Sequence, residues 1–309
     1  MTIRIFAAAA VATLVATGPA VRLTAQAPAQ GQPAQQQEVQ VTTTKLGGNV
    51  YGIDGQGGRM SALVGPDGIF LVDAQFPQVT EKIVAALRQI SPNPQIRALV
   101  NTHVHGDHTG GNENFAKLGA TIMAQPNLRA RLLKPAPGAN GQPTPPAPSM
   151  ALPVVTYTQP MTLQLNGETA QIIPLPPSHT DGDSAVKFET ADVLATGDVF
   201  RSIGYPNIDR ANGGTLNGML QSMARFIELA GANTKVVPGH GDVTNRAALV
   251  AHRDMIVTMR DRVQKQITEG KTQEQVVASK PTADMDARVG NAMASADRFV
   301  GQLYAELKK

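Results

Sequence analysis

The chain has 309 residues, with 27 lysine and arginine residues against 24 aspartate and glutamate residues, a formal net charge of +3. It has no cysteine, which excludes disulfides, thiolate metal sites, iron–sulfur clusters and a cysteine nucleophile. Apolar residues make up 42% of the sequence, which excludes global disorder, and so small a net charge gives no reason to expect a nucleic-acid partner.

Residues 1–27 have the pattern of a secretory signal peptide. Arg4 gives a positive start, residues 5–17 form an alanine-rich apolar run, and the small-residue triplet Ala25-Gln26-Ala27 follows. A run of 13 residues is shorter than the ~20 needed to cross a bilayer. Residues 28–38 form a low-complexity linker. These features predict an exported, periplasmic protein with no stable membrane insertion after the signal is removed.

The rest of the chain, residues 39–309, is predicted to form one α/β domain, because strand-like and helical segments are interleaved. We predict strands at 39–44, 49–53, 60–64, 68–72, 96–100, 154–157, 161–165, 170–175, 184–189, 193–195 and 235–237. We predict helices at 79–90, 112–118, 127–133, 216–229 and from 245 to the end, the last stretch broken at Gly270 and Pro281. Residues 134–148 contain six prolines, so we predict a loop there without strand or helix.

Three of the six histidines, His103, His105 and His108, lie within six residues directly after a predicted strand. His103 and His105 are two residues apart, so they share one side of an extended chain. Gly106 allows the backbone to turn and brings Asp107 and His108 to the same point. So many imidazole and carboxylate groups are costly to place together unless they hold a metal cation.

Three further residues of the metal-ligand type follow apolar segments in the same way. His179 comes after a Pro-Pro-Ser turn, Asp198 after Thr-Gly, and His240 after Pro-Gly. Each turn ends a predicted strand, and α/β proteins place their sites at such strand ends. We therefore expect these three residues to join the histidine cluster. The sixth histidine, His252, lies in a helical stretch and is predicted to be a packing or surface residue.

The His-x-His-x-Asp-His run, the later Ser-His-Thr, the Thr-Gly-Asp and the Pro-Gly-His-Gly, in this order, resemble the metallo-β-lactamase superfamily. The resemblance covers about residues 49–242. It implies an α/β fold, the αβ/βα four-layer sandwich, with a dinuclear metal site between its two sheets. In this chain the sandwich is followed by additional C-terminal helices at 245–309, within one metallo-hydrolase domain at 39–309.

Carried over by motif, the resemblance implies two zinc ions per chain with histidine and aspartate ligands. The first ion would be bound by His103, His105 and His179, and the second by Asp107, His108 and His240. Asp198 would bridge both ions, and an aspartate bridge also admits manganese or iron. Asp73, which follows an early predicted strand, matches an acidic residue of the family that supports a ligand from outside the metal shell.

The resemblance also implies a mechanism and a substrate class. Water that bridges two zinc ions becomes hydroxide near neutral pH and attacks a substrate carbonyl, while the catalytic residue Asp107 orients the hydroxide and shuttles its proton. The expected partner is a small cyclic amide or ester, with a β-lactam-type substrate first because the chain is predicted to be exported. Arg201 and Asn207 lie where zinc β-lactamases bind a substrate carboxylate and assist the oxyanion. The alternative is that Arg201 is a solvated surface residue and that Asn207 is a turn residue, neither in contact with substrate.

Two other functions stay open at this point. The bridging residue is Asp198 rather than a cysteine, which resembles the glyoxalase II branch of the superfamily. A thioesterase or a lactonase is therefore the alternative to a β-lactam hydrolase. A non-catalytic metal-binding protein is the third hypothesis.

Overall fold

The computed structural model describes residues 39–137, 142–290 and 292–308, apart from the side chains of residues 136, 137 and 292. The predicted signal peptide at 1–27 and the predicted linker at 28–38 lie outside the described residues and stay predictions. Within the described part of the chain, no helix combines the length and the hydropathy that a membrane span requires.

The described strands and helices interleave along the chain, as the sequence pattern indicates. The strands are β1 (Thr42–Gly47), β2 (Val50–Asp54), β3 (Met60–Gly65), β4 (Gly68–Val72), β5 (Ile96–Val100), β6 (Thr121–Ala124), β7 (Ala136–Pro137), β8 (Pro143–Thr144), β9 (Val155–Thr156), β10 (Met161–Leu165), β11 (Glu168–Pro174), β12 (Ser184–Phe188), β13 (Val193–Ala195) and β14 (Lys235–Val237). The helices are α1 (Thr80–Ile90), α2 (Gly106–Thr109), α3 (Asn112–Lys117), α4 (Pro126–Leu132), α5 (Leu216–Leu229), α6 (Arg246–Thr268), α7 (Gln273–Ala278), α8 (Asp286–Val289) and α9 (Ala296–Leu307).

The first sheet has the strand order β1-β2-β3-β4-β5-β6-β9. Strands β1 to β4 pair antiparallel, whereas β4, β5, β6 and β9 pair parallel. The direction changes after β4 because α1 carries the chain back across the sheet, as a parallel connection requires. Val72 and Val100, the last residues of β4 and β5, are therefore paired, so the carboxyl ends of these two strands lie side by side.

The second sheet has the order β10-β11-β12-β13-β14. Its strands pair antiparallel except β13 and β14, which are parallel because α5 crosses over between them. Ala195 and Val237, at the ends of β13 and β14, are paired. The turns that carry Asp198 and His240 therefore leave the sheet side by side.

The two sheets pack face to face, and the alternation of side chains along β4 shows how the layers form. Phe70 and Val72 belong to the core between the sheets, whereas Ile69 and Leu71 belong to the core under α1. Helices α5, α6 and α9 cover the outer face of the second sheet through a third core. The layers thus run helix, sheet, sheet, helix, and the predicted αβ/βα sandwich with additional C-terminal helices is confirmed.

The structure differs from the predicted elements in three places. The first strand starts at Thr42 rather than residue 39, because Val39 and Val41 pack on the core under α1. Strand β6 is not predicted at all, although it is the parallel neighbour of β5. The proline-rich segment 134–148 is predicted to lack strands, yet β7 and β8 pair antiparallel within it. A pairing of two residues needs few N–H donors, so proline does not prevent it.

Candidate metal centre and active site

The site begins at the neighbouring ends of β4 and β5, where Asp73 anchors the histidine run. Asp73 takes a left-handed backbone conformation with φ of 68°, which is uncommon for a residue other than glycine. Its carboxylate accepts hydrogen bonds from the backbone N–H of Thr102 at 2.7 Å and from the Thr102 hydroxyl at 2.8 Å. The same carboxylate lies 2.7 Å from Nδ1 of His108. Asp73 therefore orients His108 so that Nε2 faces the centre of the site.

His103, His105 and His179 form the first group, with ligand atoms within 4.8 Å of one another. Nδ1 of His105 lies 3.0 Å from Nε2 of His179. The opposite nitrogens have other partners. Nδ1 of His179 donates to the carbonyl oxygen of Asn207 at 2.7 Å, and Nε2 of His105 lies 2.7 Å from Oδ2 of Asp209. These outer contacts orient the two rings so that Nδ1 of His105 and Nε2 of His179 face the same point.

Asp107, His108 and His240 form the second group, again with ligand atoms within 4.8 Å of one another. Helix α2 starts directly after His105 and carries both Asp107 and His108. Nε2 of His240 lies 3.1 Å from Oδ2 of Asp107. The turn after β14, in the second sheet, thus places His240 next to residues that follow β5, in the first sheet.

Asp198 lies between the two groups and is only 4% exposed. Its Oδ2 is 3.9 Å from Nε2 of His179 in the first group and 3.4 Å from Nε2 of His240 in the second. Its Oδ1 is 3.3 Å from Nε2 of His108. One carboxylate therefore reaches both groups, which is the placement that a bridging ligand needs.

Three buried atoms at the centre of the cluster have no hydrogen-bond partner: Nε2 of His103, Nε2 of His108 and Oδ1 of Asp198. Buried polar atoms almost always have a partner in native proteins, so three together need an explanation. Imidazole nitrogens and carboxylate oxygens are zinc ligands. The residues present thus fit divalent metal ions.

The charges of the cluster also suit a cation. Burial lowers the pKa of His179 to about 4, so this ring is a neutral ligand at pH 7. Burial opposes the charge of His240 as well, but its hydrogen bond with Asp107 and the charge of Asp198 raise its pKa to about 9. Burial likewise opposes ionisation of Asp198, yet the adjacent His108 imidazole holds the pKa of this carboxyl well below its usual value. The carboxylates therefore stabilise positive charge at the second group.

Arg201 and Asn207, the predicted substrate contacts, are placed differently. Nη1 of Arg201 lies 3.8 Å from Oδ2 of Asp198, so its guanidinium reaches the edge of the metal cluster. The side chain of Asn207 instead accepts a hydrogen bond from Nε2 of Gln302, on α9, at 2.8 Å. Asn207 thus reaches the cluster through its backbone carbonyl, which holds His179.

A glycine-rich turn at 54–58 packs over the second group. The N–H of Gly58 donates to the carbonyl oxygen of Asp107 at 3.1 Å. A Cβ on Gly58 would lie 2.1 Å from Cε1 and Nε2 of His108. Only a residue without a side chain lets the turn approach the histidine so closely.

Asp209 contributes to the site although the sequence gives no sign of it. It precedes a 3₁₀ turn, Arg210–Asn212, and its side chain accepts the N–H of Asn212. This capping pattern is visible in the sequence but is common in turns without any site. Only the packed structure shows that the same carboxylate also contacts His105, as Asp73 contacts His108.

We expect Asp209→Asn to weaken metal binding about 10–100-fold, because outer partners of ligating histidines contribute this much. The amide keeps the size of the side chain but removes the negative charge that orients and polarises His105. Competition with a chromophoric chelator measures the affinity. Asp261→Asn is the matched control, because Asp261 is exposed and, among the described residues, its ion-pair partner is the neighbouring Arg260. Equal metal affinity in both variants would contradict the role given to Asp209.

Comparison with known proteins agrees with this geometry. A family model described as the metallo-β-lactamase superfamily matches residues 54–240, more than half of the chain. The chain belongs to the metallo-β-lactamase superfamily. It is accordingly a hydrolase of this superfamily with candidate metal-binding histidine and aspartate groups. A search of curated protein sequences found no match.

Three solved structures share the fold of this chain. A metallo-β-lactamase from Pontibacter korlensis has a TM-score of 0.58 at 17% identity, over 70% of this chain and 99% of its own. The DIM-1 metallo-β-lactamase has a TM-score of 0.57 at 18% identity, over 72% and 99%. The inverting sec-alkylsulfatase Pisa1 from Pseudomonas sp. has a TM-score of 0.65 at 16% identity, over 85% of this chain but 50% of its own. This chain thus spans half the length of the alkylsulfatase, and at these identities the likeness concerns the fold alone.

Proposed function

We propose that the chain is an exported dinuclear zinc hydrolase that opens a small cyclic amide or ester, with a β-lactam-type compound as its first candidate substrate. The observation that carries the proposal is the convergence of five histidines and two aspartates on a centre whose buried nitrogen and oxygen atoms lack partners. Two metal ions account for all seven side chains, with Asp198 shared between them.

The chemistry of the proposed site divides between metal and protein. Bound zinc supplies Lewis acidity and lowers the pKa of water, so that a nucleophile is present near neutral pH. The chain holds the ligands in fixed orientations through Asp73, Asp209 and the carbonyl of Asn207. Asp107, which is more exposed than Asp198, orients the attacking water and accepts its proton.

Arg201 supports the choice of an anionic substrate. Its guanidinium lies at the edge of the cluster, within reach of Asp198, and a guanidinium is the side chain best suited to bind a carboxylate. A β-lactam antibiotic bears a carboxylate next to its cyclic amide, and an arginine can bind this group with two hydrogen bonds. A thioester or a lactone with a nearby anionic group also fits the site and is the alternative substrate class.

The test compares β-lactam, thioester and lactone hydrolysis by zinc-loaded protein, with and without a chelator. We expect chelator-sensitive turnover of the β-lactam that returns when zinc is added back. Turnover of only the thioester or the lactone would move the function to the alternative class. Bound zinc with no turnover of any of the three would favour the non-catalytic metal-binding protein and contradict the proposed hydrolase.

A further inference from the structure

A cavity of about 450 Å³ lies beside the metal cluster, on the side formed by the C-terminal helices. Residues of α6 and α8 and the segment directly after Asp198 line it. Phe200, Met255 and Val289 give it an apolar wall, and Arg201, His252 and Arg288 give it polar groups. Its volume lies within the range of small-molecule sites.

Two buried nitrogen atoms of the residues that line the cavity have no hydrogen-bond partner. These are Nε2 of His252 and Nε of Arg201. His252 is 9% exposed, and its ring packs edge-on against Phe200 with 5.0 Å between the ring centroids. An unpartnered buried nitrogen carries a desolvation cost, and two on one cavity indicate a missing polar ligand.

The charges around the cavity indicate the sign of this ligand. Arg201 and Arg288 contribute two guanidinium groups. Among the described residues that line the cavity, Asp254 is the acidic one, and its carboxylate is paired with Nε of Arg253 at 2.7 Å. Burial and the charge of Arg201 lower the pKa of His252 to about 4, so this ring is neutral at pH 7 and can donate from Nε2. The lining therefore suits an anion with an apolar body.

Arg201 also connects the cavity to the metal cluster. Its Nε is buried without a partner, while its Nη1 lies 3.8 Å from the bridging carboxylate Oδ2 of Asp198. A molecule that binds the guanidinium from the cavity side therefore lies next to the metals. This continuity distinguishes the cavity from an isolated surface groove.

We propose that this cavity is the compartment of the substrate site that binds the non-reacting part of the substrate, an organic anion with an apolar chain or ring. Arg201 holds the anionic group, His252 donates a hydrogen bond to it from Nε2, and Met255 and Val289 contact the apolar part. The proposal rests on the proposed hydrolase function and makes His252 a residue that determines substrate specificity rather than a packing residue.

Binding of octane-1-sulfonate to zinc-loaded protein, measured by titration calorimetry, tests the proposal. A sulfonate is a weak zinc ligand, so its binding reports the cavity rather than the metals. Octan-1-ol has the same chain without the charge. We expect the sulfonate to bind at least about tenfold more tightly than the alcohol, because hydrogen bonds to charged groups contribute this much.

Two variants and a control separate the proposed contacts from general packing. We expect His252→Leu and Arg201→Gln each to weaken sulfonate binding about tenfold or more while leaving alcohol binding nearly unchanged. Arg260→Gln removes a charge on the same helix, and neither Arg260 nor its ion-pair partner Asp261 lines the cavity. It should change neither affinity. Metal content and thermal unfolding, measured on every variant, identify any protein that does not fold.

The outcomes distinguish this proposal from the proposed function. Sulfonate that competes with a hydrolysed substrate, raising KM without changing kcat, supports the compartment. Equal affinity for sulfonate and alcohol, or a His252→Leu variant that binds the sulfonate normally, overturns it even in an active enzyme. Tight sulfonate binding in a protein that carries zinc but hydrolyses nothing would instead contradict the hydrolase and leave an anion site without catalysis.

Discussion

Replacing Asp198 by asparagine is expected to lower kcat/KM on the order of 10³-fold and to remove most of the bound metal, because metal charge contributes several kcal/mol to catalysis. Asp198 is the one residue whose carboxylate contacts both ligand groups among the described residues. Asparagine keeps its shape but offers a single neutral oxygen. In the proposed dinuclear centre, the variant would therefore lack the shared negative charge that stabilises two cations.

Asp242→Asn is the control for this experiment. Asp242 is exposed and lies two residues after His240, so its charge is close to the cluster along the chain without being part of it. We expect its metal content and kcat/KM to stay at the level of the unmodified protein. An Asp198→Asn protein that kept both metals and lost less than about tenfold in kcat/KM would contradict the bridging role.

The second large effect is expected from Gly58→Ala. The new Cβ would lie 2.1 Å from the His108 ring, which is fully buried and held by Asp73, so the ring cannot move aside without losing that contact. We expect a displaced His108, loss of metal from the second group and about a 10²-fold lower kcat/KM, the effect of misplacement by about 1 Å. Metal analysis and the histidine ring signals in NMR spectra report the displacement directly.

Gly106→Ala is the matched control, because the chain offers a second glycine next to the same ligands. Gly106 lies between His105 and Asp107, but a Cβ there meets no atom within 4 Å. Alanine is also a better helix former at this first position of α2. We expect normal metal content and activity. If both variants lost metal equally, steric contact with His108 would not be the cause.

The sequence indicates which histidine and aspartate side chains come together, because the pattern that places them is local. The candidate ligands follow apolar strands, with a Pro- or Gly-containing turn before His179, Asp198 and His240, and strand ends that pair in a sheet place the residues after them close together. The paired ends of β13 and β14 are the direct example, since they bring the turns of Asp198 and His240 side by side. Asp73 is predicted from the resemblance, which places an acidic residue after an early strand.

What the sequence misses depends on contacts between distant segments. Asp209 looks like a turn residue, and the sequence does not show that Asp209 contacts His105 or that Gly58 approaches His108. His252 has the helical setting of a packing residue, and only the placement of α6 beside Arg201 shows an unpartnered nitrogen on a cavity. Strand β6 has only four residues, too few to show a clear alternation of apolar and polar side chains. Its pairing with β5 therefore decides its conformation.

The number of zinc ions bound per chain tests the central claim most directly. The protein without residues 1–27 is dialysed against zinc, and the bound metal is measured by mass spectrometry together with the protein concentration. Seven ligands in two groups that share Asp198 predict two ions per chain, both removed by a strong chelator. A single ion per chain, or none after reconstitution of the folded protein, would contradict the dinuclear centre.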